Sequence, residues 1–370
     1  MTFMTYSREV SERILKALSK FYDQQERISI SSAHLSGVSY ENIGEEGLYF
    51  LNEMSREGKV AVYTTANPMG ADIYDNIFGI NEEFIEKQRR IADAFLRLGV
   101  TDSFTCAPFD YFQMPVRNSH VAWAESSAVI YANSFLNIFT NKESALSALA
   151  SAILGETVNS GLHIKKNRKP LIRFNLKEVK NEVDAGLYAY HISKLVDKPF
   201  SIKTNGMINS IMKKCFCGAL GAVGNVSYFE TNAFSTYDHT VEQKEIKKEF
   251  NELSTTNLGE IIILGCPHWN HNEIENFVSR LGQRSFKKDC LIACNKKAYD
   301  KLLTKFGKGV LNKKKIFFFK DACPIFSPLL KENGFKSIIT DSVKAAHYYK
   351  LRDVRVNLKP IDKIIEEEAE

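Results

Sequence analysis

Six times along this chain an apolar, strand-length segment runs straight into small polar, Cys, His or Pro residues. Ile28–Ile30 leads to Ser31-Ser32-Ala33-His34 and Ser36-Gly37, and Val60–Tyr63 leads to Thr64-Thr65-Ala66-Asn67-Pro68. Phe104 leads to Thr105-Cys106-Ala107-Pro108, and Ile261–Leu264 leads to Gly265-Cys266-Pro267-His268. Phe317–Phe319 leads to Asp321-Ala322-Cys323-Pro324, and Ile338–Ile339 leads to Thr340-Asp341-Ser342 and Lys344. Helical stripes lie between several of them. Val10, Ile14, Ala17 and Phe21 form one; Asn81–Leu98 carries Phe84, Gln88, Ile91 and Phe95, with Gly99 as its stop. Ala145–Leu154, Glu273–Leu281 and Lys297–Phe306 read as further helices. Strands alternating with helices define an α/β protein with βαβ units and parallel sheets. Ligands of such sheets bind outside the carboxyl ends of the strands, so these polar segments are expected to converge on one cleft.

At 370 residues, and ~100–200 residues per domain, the chain holds two or three domains. We expect an N-terminal α/β part over 1–205 and a C-terminal α/β part with a parallel sheet over 206–370. The region 160–250 shows no clear period. Its Gly218, Gly221 and Gly224 are spaced for close helix packing rather than as a dinucleotide fingerprint. The longest uncharged stretch, Ser126 to Asn141, is 16 residues, short of the ~20 needed to span a bilayer. Arg8, Glu9, Glu12 and Arg13 occupy the place of a signal-peptide core, so a cytoplasmic protein without membrane contact is expected. Twelve Lys/Arg stand against two acids from Arg284 to Lys320. RNA binding would interleave aromatics with them, whereas Phe317-Phe318-Phe319 reads as a buried strand, so no nucleic acid is expected.

Seven cysteines cannot all pair, and no C-x2-C exists, which excludes zinc ribbons and ferredoxin-type clusters. Cys215, Cys217, Cys290 and Cys294 sit in apolar contexts and read as core. Cys106, Cys266 and Cys323 lie in strand-end loops, each followed by Pro within two residues. They are either inert thiols or ligands of a cluster with one iron left open. Cys266, His268 and His271 form a C-x-H-x2-H, a minor zinc alternative. Glu125, in the apolar run after His120, must be hydrogen-bonded or face substrate, because an unpaired buried charge is costly. His163, with Lys165, Lys166 and Arg168, reads as a solvated loop before an anion site.

These segments resemble a known family. Ser32-Ala33-His34-Leu35-Ser36-Gly37-Val38-Ser39-Tyr40-Glu41-Asn42-Ile43-Gly44 is similar to the opening motif of the aconitase X large subunit. So are Thr64-Thr65-Ala66-Asn67-Pro68 with Asp72, Thr105-Cys106-Ala107-Pro108, Ala122-Trp123-Ala124-Glu125-Ser126-Ser127, Gly265-Cys266-Pro267-His268 and Thr340-Asp341-Ser342-Val343-Lys344, in the family's order. The resemblance implies an aconitase-like core without the swivelling domain, and a separate small subunit carrying that domain in a heterodimer. It implies an iron–sulfur cluster, four-iron four-sulfur by expectation, on Cys106, Cys266 and Cys323. It also implies a hydro-lyase acting on a small anionic hydroxy acid, with its base on the small subunit. Ser32, His34, Ser36, Thr65, Asn67, Glu125, Ser126 and Lys344 are expected to bind substrate. Mevalonate 5-phosphate, dehydrated to trans-anhydromevalonate 5-phosphate on the isoprenoid route, is the first substrate implied; cis-3-hydroxy-L-proline is the second. The chain departs from the family pattern at Ala107, Phe109, Asn118 and Asp341. Those departures motivate a third reading, a non-catalytic relative that binds a small acid or a partner.

Overall fold

The computed structural model describes residues 5–102, 104–110, 113–204, 209–231 and 234–370. Its largest sheet has five parallel strands, in spatial order Ile316–Lys320, Cys290–Cys294, Ile261–Trp269, Ser337–Thr340 and Arg355–Leu358. Alternate residues explain why these strands read as unbroken apolar runs. Ile261, Ile263 and Leu291 face the main core, while Ile262, Leu264 and Ile292 face a second core on the other side. A sheet buried on both faces needs no polar alternation.

A second parallel sheet orders Tyr63–Ala66, Ser32–Leu35 and Ala122–Trp123. Here the strands lie later than the sequence suggests. Arg27–Ser29 instead pairs antiparallel with Glu156–Val158, and Lys59–Val62 precedes its strand. The sheet strand Ser32–Leu35 is buried at every position although it carries Ser and His, because both polar side chains find partners inside. Before the Cys106 segment, Ser103 lies outside the described residues, and Phe104 makes a single parallel bridge to Ala66.

The region without a clear period forms a third parallel sheet, ordered Phe229–Thr231, Phe200–Thr204, Ile172–Leu176 and His239–Val241. Its strands are short and carry Arg173, Lys203 and Ser201, which breaks the apolar signal.

Helix boundaries follow their caps. Asn81 accepts from the N–H groups of Glu83 and Phe84 to start the helix Glu82–Leu98, and Gly99 ends it at φ 93°. Gln88 sits on that helix's buried face because its amide serves the loops beside it. It accepts from the N–H groups of Tyr40 and Gly70 and donates to the Val38 carbonyl. The helix Ser210–Val223 confirms close glycine packing: a Cβ on Gly221 would stand 2.9 Å from Ser126 Oγ, and one on Gly218 3.3 Å from Pro267. Among the described residues, no helix is long and apolar enough to cross a membrane.

Candidate active site

The carboxyl ends of the three-stranded and five-stranded sheets meet. Met69 bridges Ala322, its N–H donating to Asp321 O at 2.8 Å and its carbonyl accepting from Cys323 N at 2.8 Å. Beside this seam lies a cavity of about 440 Å³. Ser36, Asn67, Glu125, Ser126 and Lys344 line it, together with Cys106, Cys266 and Cys323.

Each cysteine is delivered by a different device. Cys106 follows Thr105, whose N–H donates to Ala66 O at 2.9 Å and whose hydroxyl caps Ala107 N. Cys266 lies within the strand Ile261–Trp269, not in a loop beyond it. The strand's register against Cys290–Cys294 shifts between Leu264 and Trp269. Gly265, at φ +85°, makes the irregularity, and a Cβ there would stand 2.2 Å from Ala293 O. Cys323 precedes the 3-10 turn Pro324–Phe326, whose Ile325 and Phe326 N–H groups oppose the rise that burial gives its thiol. These three thiols are partly exposed, whereas Cys215, Cys217, Cys290 and Cys294 are buried, as the core reading requires. Burial raises all three, Cys266 to about 12, with the Lys344 ammonium opposing.

The donor set suits a polynuclear group. Among the described residues, no three His, Cys, Asp or Glu side chains stand close enough to hold one metal ion. Thiolates of an iron–sulfur cluster bind different irons and need not converge on one point. Three soft sulfur donors lining one cavity, with the His268 N–H already on Cys106, fit such a cluster. The zinc alternative finds no support: among the described residues, Cys266, His268 and His271 do not form a group that could hold one metal ion.

On the same cavity, Lys344 Nζ donates to Glu125 Oε1 at 2.6 Å. Glu125 caps the helix Ser126–Phe135; it also accepts from Ser127 Oγ at 2.9 Å and Asn67 Nδ2 at 2.9 Å. Burial alone would raise its pKa, but Lys344, Asn67 and Ser127 carry it down to about 2. Burial likewise opposes the Lys344 charge, and Glu125 with the neighbouring thiols holds it well above its ordinary value. The pair is ionised at neutral pH.

Behind this wall runs a relay of hydrogen bonds. Asn67 Oδ1 accepts from His34 Nε2 at 2.9 Å, and His34 Nδ1 meets Thr65 Oγ1 at 2.7 Å. Burial lowers the His34 pKa to about 4, so the ring is neutral, with its proton on the side of Asn67. Ser32 Oγ accepts from Trp123 Nε1 at 3.2 Å. Ser32, His34 and Thr65, expected to touch substrate, therefore stand one layer back and hold Asn67 and the sheet in place.

Lys142 and Tyr348 also line the cavity. Tyr348 was reachable from sequence, four residues after Lys344 on the helix Val343–Lys350. Lys142 follows an apolar run and carries no local signature. The expected solvated loop at His163 holds only for Lys165 and Lys166. His163 is buried, 3.0 Å from His120 through the Nδ1 atoms, and Arg168 is buried between the Phe139 and Tyr228 rings, 4.3 Å from each. Its guanidinium donates to Asn133 O and Ile138 O, the carbonyls at and beyond the end of the Ser126–Phe135 helix, so it serves the fold.

Two parallel sheets whose strand ends gather thiols and a buried Lys–Glu pair around one open cavity define an α/β protein of the enzyme type. The chain is 33% identical to the phosphomevalonate dehydratase large subunit of Methanocaldococcus jannaschii, over 90% of this chain and 89% of that protein. It is 31% identical to that of Thermococcus kodakarensis, over 98% and 95%. The holo crystal structure of aconitase X from Thermococcus kodakaraensis superposes with a TM-score of 0.89 at 29% identity, covering 98% of this chain and 96% of that one. Family models match as well, the aconitase X first domain at residues 5–166 and the third domain at 259–370. The chain belongs to the aconitase X family.

Proposed function

We propose that this chain is the large subunit of an iron–sulfur hydro-lyase that removes water from mevalonate 5-phosphate to give trans-anhydromevalonate 5-phosphate. The observation that carries the reading is the placement of Cys106, Cys266 and Cys323 on one cavity with the Lys344–Glu125 pair, in a chain related over nearly its whole length to phosphomevalonate dehydratase large subunits. A cluster held by the three cysteines would supply a Lewis-acid iron for the departing hydroxyl.

The chain's own residues supply position and charge. Loss of a proton next to a carboxylate builds negative charge on the carboxylate oxygens, and a fixed ammonium stabilises it there. Lys344 is that ammonium. Glu125 holds it at 2.6 Å and, being bonded on both oxygens, is a poor proton acceptor. Asn67, steadied by His34, fixes the carboxylate of Glu125 from behind. Ser36 and Ser126 offer hydroxyls to the substrate across the same cavity. The base comes from a small subunit closing over the open side, in keeping with relatives that are themselves large subunits.

The test is anaerobic co-expression with the cognate small subunit, followed by assay on mevalonate 5-phosphate and on cis-3-hydroxy-L-proline. Turnover of the first by the complex, and none by this chain alone, is expected. Activity confined to hydroxyproline overturns the substrate; full turnover by the single chain overturns the placement of the base.

A further inference from the structure

His268 touches all three cysteine segments. It lies two residues after Cys266 on the same strand. Its backbone N–H donates to Cys106 Sγ at 3.2 Å. Its ring Nε2 meets the carbonyl of Ala322, the residue before Cys323, at 2.9 Å. A carbonyl only accepts, so Nε2 carries the proton. The His268 carbonyl is held in turn by Lys214 Nζ at 2.7 Å. That buried ammonium also bonds Asp110, four residues after Cys106, and Glu273, both at 2.7 Å. Every polar end of His268 but one is thus spent on ordering the segments that carry the thiols.

The remaining end argues against simple space-filling. His268 Nδ1 is buried and has no hydrogen-bond partner among the described residues. Leaving such an atom bare carries a desolvation penalty that an apolar side chain of similar size would not incur. The ring stays because its other nitrogen reaches Ala322.

We infer that His268 is a positioning residue for the cysteine triad: its main-chain N–H on Cys106 and its ring N–H beside Cys323 set where the three sulfurs stand, and so govern retention and redox potential of the group they hold. The inference rests on the reading of these thiols as ligands of one cofactor. Hydrogen bonds to ligating sulfur and the orientation of ligands by their neighbours both tune iron–sulfur centres.

Two amides of different reach separate this role from packing. In His268→Gln the side-chain NH2 falls near the Nε2 position and can bond Ala322 O; in His268→Asn it falls near Nδ1 and cannot. After anaerobic reconstitution, the Gln variant should keep wild-type visible absorbance and midpoint potential. The Asn variant should bleach in air about tenfold faster, at a shifted potential. In the metal-free proteins, alkylation of Cys323 should be faster for Asn than for Gln or wild type. Equal retention, potential and alkylation in all three overturn the inference. A wild type that takes up no cluster overturns the preceding functional reading, while the alkylation rates still decide the positioning role. Should the Asn variant not fold, nitrogen NMR of histidine-labelled wild type decides instead. A proton on Nδ1 of His268 overturns the inference, and one on Nε2 supports it.

Discussion

Lys344 and Glu125 stand 219 residues apart in the chain and form one ion pair, 2.6 Å long and about nine-tenths buried, on the wall of the cysteine cavity. Removing one partner of such a pair leaves a charge uncompensated, at roughly 3–5 kcal/mol. Glu125→Gln and Lys344→Met should each lower stability by about that amount, read by denaturant unfolding of the free chain. The double variant should recover much of the stability and none of the activity. In the assembled enzyme Lys344→Met should lose on the order of 10²–10³ in kcat, the usual worth of one preorganised donor to a developing oxyanion. A double variant as unstable as the sum of the singles would show that the two residues do not depend on one another.

Anaerobically reconstituted protein should be brown. Ala at Cys106, Cys266 or Cys323 should bleach it, whereas Cys215→Ala and Cys290→Ala, in buried positions, should keep the colour and lose only packing energy. A colourless, iron-free wild type would remove the cluster from the proposal.

Gly265→Ala should be among the most damaging single substitutions. Its φ of +85° and the 2.2 Å approach of a Cβ to Ala293 O combine strain with a backbone clash. A loss above about 4 kcal/mol is expected. Gly334→Ala shares the sign of φ, +71°, but meets nothing within 4 Å, and should cost only about 1–2 kcal/mol. Similar midpoints for the two variants would show that the strand can relax around Gly265.

Acid should unfold the chain partly through two histidines. Burial lowers His34 to about 4; burial, then the neighbouring His120 and Arg168, lower His163 to about 3. The unfolded chain, with ordinary histidines near 6.5, binds more protons below that value. Their contribution is therefore complete above about pH 6.5 and is lost as pH falls, through pH 4 for His34 and pH 3 for His163. Each pKa unit is worth about 1.4 kcal/mol, so the two together amount to several. Melting temperatures of wild type and His163→Gln, compared from about pH 7.5 to about pH 5, should converge on acidification. Parallel curves would show that His163 does not titrate with unfolding.

Cys106, Cys266 and Cys323 could be singled out because a Cys after an apolar run, with Pro within two residues, is a local pattern, and three such patterns stand out against four cysteines in apolar contexts. The five-stranded sheet was legible for the same reason: burial on both faces writes a continuous signal at Ile261–Leu264 and Phe317–Phe319. Depth was not legible. Ser32, His34 and Thr65 look like cavity residues because they are polar, yet partners from distant segments, Trp123 and Asn67, let them be buried. Arg168 misled in the same way, since aromatic rings and helix-end carbonyls from elsewhere take its charge inside. Lys142 reaches the cavity only through the tertiary path of its loop. No spacing announces that.

The seam through Met69 and Ala322 would give the proposed cluster site a role in quality control. Cys106 hangs from the three-stranded sheet, while Cys266 and Cys323 belong to the five-stranded one, and the ladder at Met69 joins the two. A cofactor needing all three sulfurs would bind only a chain whose two sheets have docked. Its binding energy then adds to the docked state and to no earlier one. Cofactor insertion would act as a proofreading step in assembly, and its loss would loosen the join between the sheets before it touched either sheet's own core.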